Sequence, residues 1–295
     1  MNPKAAFRSL RVRATPLVLS GVAMGISAAC TSATVHWAVV PFLILTAVFL
    51  QFVSNLSNEL GDSIHGTDRN DRQGMRYSIQ SGDLTPNDIK VLIGICIALS
   101  CLFGLLMIYF AFGTFFSLPA LAFVVLGLLA IIAAMRYTLG AHPYGYRGLG
   151  DIYVFLFFGL AVTMGGYYLC SGTLLLWHAF LPACAMGCFS VGVLNVNNIR
   201  DMKTDAATRV TMAIRMGERG SRLYQSILIT IGITCMIAWS ILSGRTLLGY
   251  LYLLAVPLFV IHLAFVWRHT DKQLDKMVPM LSISTFLMSL LTFIQ

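Results

Sequence analysis

The sequence predicts an all-α polytopic membrane protein, and three observations carry that prediction. Hydrophobic residues make up 58% of the 295 positions and charged residues only 11%, with a mean hydropathy of +0.80; a soluble domain is charged at about a quarter of its positions. Nine stretches stay apolar over the roughly 17 to 25 residues that a helix needs to cross a bilayer. Nineteen of the 20 Lys and Arg residues fall on connections that share one side of those stretches.

In chain order, Lys4, Arg8, Arg11 and Arg13 precede the first apolar run, 15 to 33. That run continues without a clear cleavage site, so a first membrane helix is expected in place of a removed signal. The stretch Ser27-Ala28-Ala29-Cys30 has only a faint likeness to a lipoprotein cleavage box. Further spans are expected at 37 to 57, 91 to 112, 116 to 135, 152 to 170, 174 to 194, 223 to 242, 246 to 266 and 278 to 294. Short connections near Val35, Gly113, Gly172 and Gly244 join the spans, and the longer polar connections lie on the opposite side. With the N-terminus cytoplasmic, only Arg245 is left outside, which places the polar loops on the cytoplasmic face of a bacterial inner membrane. All 12 acidic residues, from Glu59 to Asp275, lie on or beside the same inner segments. The net charge of +8 therefore reads as topology plus an anionic ligand, and nucleic-acid binding is not expected. The seven cysteines lie in apolar stretches without a CxxC pair and read as small hydrophobes.

The second span ends in a polar stretch, Asn55 to Asp71, reading NLSNELGDSIHGTDRND. Asn55, Asn58 and Asp62 are three and four residues apart, so they share one helix face. Asn195, Asn198, Asp201 and Asp205 repeat the pattern at the end of the sixth span. The repeat suggests two similar halves, roughly 1–135 and 136–295, of a single domain covering 1–295. Arginines trail both stripes: Arg69, Arg72 and Arg76 after the first, Arg209, Arg215, Arg219 and Arg222 after the second. Either stripe alone also fits a solvated helix end. Together they need a polar cavity and partners, because carboxylates at a membrane boundary are costly without them. Magnesium commonly bridges one or two carboxylates to substrate phosphates, while Arg and Lys hold the remaining oxygens. The pair reads as a clamp for a magnesium diphosphate, and its setting among lipid-facing helices makes that a lipid diphosphate.

The connection Met135 to Asp151, MRYTLGAHPYGYRGLGD, has four glycines and a proline that break helix, and it carries Tyr137, Tyr144 and Tyr146. An interfacial aromatic belt would also look like this. Opposite a diphosphate clamp, the tyrosines are expected to cap the cavity and to offer ring faces to an aromatic acceptor or a carbocation.

Asn58-Glu59-x-x-Asp62 and Asp201-x-x-x-Asp205 resemble the two aspartate-rich motifs of the UbiA superfamily of intramembrane prenyltransferases. Gly61 to Gly74, His142 to Gly159 and Leu194 to Glu218 are similar to the corresponding stretches of its 1,4-dihydroxy-2-naphthoate branch. The resemblance covers most of the chain. It implies a UbiA-type bundle of nine helices, with a cavity open to the cytoplasmic side. It also implies transfer of a polyprenyl group from polyprenyl diphosphate to 1,4-dihydroxy-2-naphthoate, with decarboxylation and release of pyrophosphate, in menaquinone synthesis. On the resemblance, Asn58, Asp62, Asp68, Asp201 and Asp205 serve Mg2+, and Asn58, Arg72, Asn198, Lys203, Arg209 and Arg215 serve the diphosphate. Asp62, Asp201, Asp205, Tyr137 and Tyr146 would take part in the chemistry, with Tyr144 on the substrate. Two departures stand out: Glu59 replaces the family's usual Asp, and Ala141 stands where the hydroxybenzoate branch has the Lys of Tyr-x-x-x-Lys. Two other readings stay open, a family member with another aromatic or tetrapyrrole acceptor, and a transporter with inward-facing carboxylates. A transporter would place ionisable residues deep in its spans and on both faces.

Overall fold

The computed structural model describes residues 2–66, 77–173 and 175–294. Among them are nine helices long and apolar enough to cross a membrane: α1 Pro3–Ser32, α2 Trp37–Ile64, α3 Pro86–Phe112, α4 Leu118–Arg136, α5 Gly150–Ser171, α6 Leu176–Arg200, α7 Met212–Leu242, α8 Leu247–Arg268 and α9 Asp271–Leu291. The expected span count is met, and most of the observed helices are longer than the expected spans, though α4 starts at Leu118 and α9 stops at Leu291. α2 reaches Ile64, so the first polar stripe is helical throughout; α6 reaches only Arg200, so the expected single face of the second stripe ends at Asn198, with Asp201 at the helix end and Asp205 on a separate short turn, Met202–Asp205. α3 begins at Pro86, because Thr85 and Asp88 form a capping box there. α7 begins at Met212 and breaks at Gly217, whose φ of 69° is left-handed.

Burial ranks the helices. The apolar window of α6 is 78% buried and that of α1 67%, against 11% for α4. α6 and α1 therefore form the centre, and α4 faces outward. The core around them holds Trp239, Tyr167, Tyr252, Phe189 and Phe259. Where α5 crosses α6, a Cβ on Gly159 would lie 2.5 Å from Gly187 Cα, so these small residues permit the close approach. Hydroxyls inside apolar helices satisfy themselves locally: Ser20 donates to Leu17 O, Ser284 to Met280 O and Thr285 to Leu281 O. One irregularity lies within a span, since Phe155–Met164 of α5 is π-helical.

Candidate active site

The site forms where the C-terminal ends of α2 and α6 meet two connections, 137–149 and 201–211. Asp62, on the last turns of α2, is 3% exposed, and Asp205 after α6 is also 3% exposed. Arg209 joins them. Its Nη2 donates to Asp205 Oδ2 at 2.6 Å, and its Nη1 lies 3.8 Å from Asp62 Oδ1. Burial works against the guanidinium charge, but Asp205 and Asp62 outweigh it and hold Arg209 above the usual arginine range. Tyr146 donates its hydroxyl to Asp62 Oδ1 at 2.7 Å. The two stripes thus converge across the bundle on one point.

The 137–149 connection is held over that point by backbone pairing. Val210 N–H donates to Tyr146 O at 3.0 Å, and Arg147 and Val210 form an isolated parallel bridge. Arg215 donates to Arg147 O at 2.8 Å and lies against Gly148. Gly61 permits the contact with α2, since a Cβ there would lie 2.5 Å from Thr138 Cβ. Thr138 in turn donates to Ser57 O at 2.8 Å and to Asn58 Oδ1 at 3.3 Å, which orients the Asn58 carboxamide. Burial pushes the Tyr137 phenol up to about 12, so it stays neutral. Tyr144 donates to Ala133 O at 2.7 Å and stacks on Tyr153 with ring centroids 3.8 Å apart.

A cavity of about 340 Å³ opens beneath this cap, between α1, α2, α4, α5 and α6. Its polar end carries Arg11, Gln51, Asn55, Asn58 and Asn197, and Tyr137, Tyr144 and Tyr153 line one wall. The rest is aliphatic and aromatic, from residues such as Leu17, Leu43, Phe157 and Phe158. A charged mouth over an apolar chamber suits an amphiphile with an anionic head.

Several expected residues lie elsewhere. Asp201 is fully buried, but both its oxygens are taken by Arg200, at 2.9 and 2.6 Å. Arg200 also binds Asp275 at 2.7 Å and Asn197 at 2.7 Å, so Asp201 belongs to an ion-pair network at the foot of α6. Lys203 is 77% exposed and pairs with Asp271 at 2.9 Å, away from the cavity. Arg215 braces the cap through Arg147 O, as above. Glu59 faces away from the mouth and accepts from Ile79 N–H at 3.0 Å. Asn198 lines a small cleft beside Arg209 and Tyr137. Asp68 and Arg72 lie outside the described residues. Two residues carry roles that sequence spacing did not signal. Arg11, in a left-handed conformation at φ 53°, lines the cavity with its Nε and Nη2 buried and without hydrogen-bond partners; its guanidinium lies 3.8 Å over the Tyr77 ring. Asp151, 8% exposed, lines the same small cleft as Asn198.

A metal fit can be judged from these donors. Among the described residues no group of three His, Cys, Asp or Glu side chains forms a metal site. Two carboxylates that share one cation, with a carboxamide at the cavity mouth, do fit a hard ion that completes its shell with phosphate oxygens and water.

The UbiA prenyltransferase family profile matches residues 18–290. A 1,4-dihydroxy-2-naphthoate octaprenyltransferase of Escherichia coli (strain K12) is 37% identical over 91% of this chain and 86% of its own. The enzyme of the same name from Haemophilus influenzae is 34% identical over 98% and 94%. A solved UbiA homologue from Aeropyrum pernix K1 superposes with a TM-score of 0.70 over 92% of this chain and 94% of its own, at 15% identity.

Proposed function

The chain belongs to the UbiA prenyltransferase family, and from that premise we propose that it transfers a polyprenyl group from polyprenyl diphosphate to 1,4-dihydroxy-2-naphthoate. The ring carboxylate leaves as carbon dioxide and the diphosphate as pyrophosphate, a step of menaquinone synthesis. The observation that carries the reading is the meeting of Asp62 and Asp205 at one cation above an apolar chamber of about 340 Å³. The names of the relatives at 37% and 34% identity support the acceptor.

The chain's residues divide the work. Asp62, Asp205 and Asn58 would hold Mg2+, with Asp68 a further member by its motif. When bound, the ion would neutralise diphosphate oxygens and so improve pyrophosphate as a leaving group. Arg209 supplies two guanidinium nitrogens at the same spot, and Arg11 offers its bare Nε and Nη2 to an anion at the cavity's polar end. The prenyl chain lies in the apolar chamber below. The ring faces of Tyr137, Tyr144 and Tyr153 stabilise positive charge as the allylic C–O bond ionises. The cap at 137–149 keeps water from the cation. The one-sided basic loops favour a cytoplasmic mouth in the bacterial inner membrane, and the two halves act as one unit around one cavity.

Membranes containing the protein, given a polyprenyl diphosphate, Mg2+ and a panel of aromatic acids, test the reading by product mass. Decarboxylated prenyl-naphthoquinol is expected. Prenylated hydroxybenzoate instead would move the acceptor to another branch. Asp62→Asn is expected to abolish transfer while the protein stays inserted, and full turnover in excess chelator would overturn the metal assignment.

A further inference from the structure

We propose that Asp151 is the proton acceptor of the reaction, taking the ring-hydroxyl proton of the aromatic acceptor as the new carbon–carbon bond forms. The proposal rests on the naphthoate reading above. Asp151 stands on the first turn of α5, 8% exposed, and its Oδ2 is buried without a hydrogen-bond partner. A buried carboxylate oxygen without a donor is costly and calls for a purpose. Asp62 is engaged by Tyr146 and Arg209, Asp205 by Arg209, and Asp201 by Arg200. Asp151, by contrast, carries a buried oxygen, Oδ2, with no hydrogen-bond partner among the described residues.

The placement of that oxygen supplies the purpose. Asp151 lines a cleft of about 10 Å³ with Asn198, Arg209, Thr211 and Tyr137, which is room for about one water molecule. Tyr137 and Leu194 wall both this cleft and the large cavity. The backbone at Gly150 runs directly under the phenol, since a Cβ there would lie 2.9 Å from Tyr137 Oη. Tyr137 and Leu194 are the side chains common to both walls, so a proton from a ring bound in the cavity reaches the carboxylate through the Tyr137 hydroxyl. The ionisable groups facing Asp151 are Tyr137 from the cap, Arg209 from the α6–α7 connection and Tyr224 from α7, and the Tyr224 phenol hydrogen-bonds the carboxylate.

The chemistry balances. A hydroxyl O–H bond breaks and its proton passes to Asp151, while the ring's electron pair forms the bond to the prenyl carbon. The allylic C–O bond breaks at the same centre, and its pair leaves with pyrophosphate. With attack at the carbon bearing the carboxylate, the product is a β-keto acid. In its carboxylate form it loses carbon dioxide to give an enolate, which recovers the proton from Asp151. No oxidant or further reactant is needed.

The test compares purified wild type with Asp151→Asn and Asp151→Glu across pH, with product mass, kcat, and KM for the prenyl diphosphate and Mg2+ measured for each. The expected Asp151→Asn result is a fall in kcat of about 100-fold with both KM values unchanged. The deficit should narrow as pH rises, because an acceptor that ionises in solution no longer needs a base. Asp151→Glu should recover at least about tenfold over Asn. A deficit that stays constant across pH would overturn the proposal, as would a raised Mg2+ requirement at unchanged kcat or wild-type turnover by Asp151→Asn. The wild-type product identifies the acceptor separately. If it is another hydroxyarene, the same variant-to-wild-type ratio is read with that arene, whose hydroxyl proton has to leave too.

Discussion

Replacing Arg209 by methionine keeps an unbranched apolar stem as far as the Nε position and deletes the charge that Asp62 and Asp205 share. Both carboxylates are 3% exposed, so in the ion-free protein they would face each other with little solvent between them. Removing one partner of a buried ion pair costs about 3–5 kcal/mol. Tyr146 still donates to Asp62, which places the expected loss near the lower end. For a chain of this size each kcal/mol moves the melting midpoint by roughly 2–4 °C. Arg209→Met should therefore melt about 6–12 °C lower in detergent without divalent ions. Millimolar Mg2+ should restore more of the midpoint in the variant than it adds to wild type, because in wild type the ion competes with the guanidinium for the same carboxylates. Scanning fluorimetry of the two proteins, with Mg2+ and with chelator, reads all four midpoints. A variant that melts with wild type in chelator would refute the bridging role, and an equal Mg2+ effect on both would refute the competition.

Three further substitutions probe the frame. Gly61→Ala sets a Cβ 2.5 Å from Thr138 Cβ, and is expected to destabilise by about 1–3 kcal/mol and to depress transfer through Asn58; an unaltered melt would show that the cap gives way freely. Tyr146→Phe removes the 2.7 Å donor to Asp62 and should lower turnover about tenfold in a steady-state assay, with wild-type turnover counting against that contact. Lys203→Ala should leave turnover within about twofold, because its partner is the surface residue Asp271; a large loss would return Lys203 to the diphosphate.

The architecture was legible because length and hydropathy suffice to mark a membrane helix, and a nine-span bundle follows from counting them. The helix ends were less so. Polar turns such as Asn195–Arg200 extend a span beyond its apolar run and leave no hydropathy signal. At the site, Asp62 could be read from its stripe because i, i+4 spacing fixes a face, and Arg209 from its place four residues after Asp205, although Asp205 itself lies beyond the end of α6. The attachment of Asp201 to Arg200 could not, since adjacent residues on a helix do not ordinarily face each other, and the pair closes only where the helix ends. Arg11 reaches the cavity through a left-handed turn that tertiary contacts impose. Asp151 reads as one more residue after a glycine-rich loop until Tyr137 is seen to lie against that backbone.

The π-helical stretch Phe155–Met164 has a consequence for how this chamber can vary. An ordinary membrane helix resists insertions and deletions, because losing one residue turns everything beyond it by about 100° and wrecks its packing. The wide turns of α5 already hold surplus backbone beside Phe157 and Phe158. Trimming one residue there would tighten the coil toward α-helical winding and present a new row of side chains to the chamber, leaving Asp151 and Tyr153 in place. The length of tail the chamber accepts can then drift through single-codon gain or loss, a route that substitution within a regular helix does not offer.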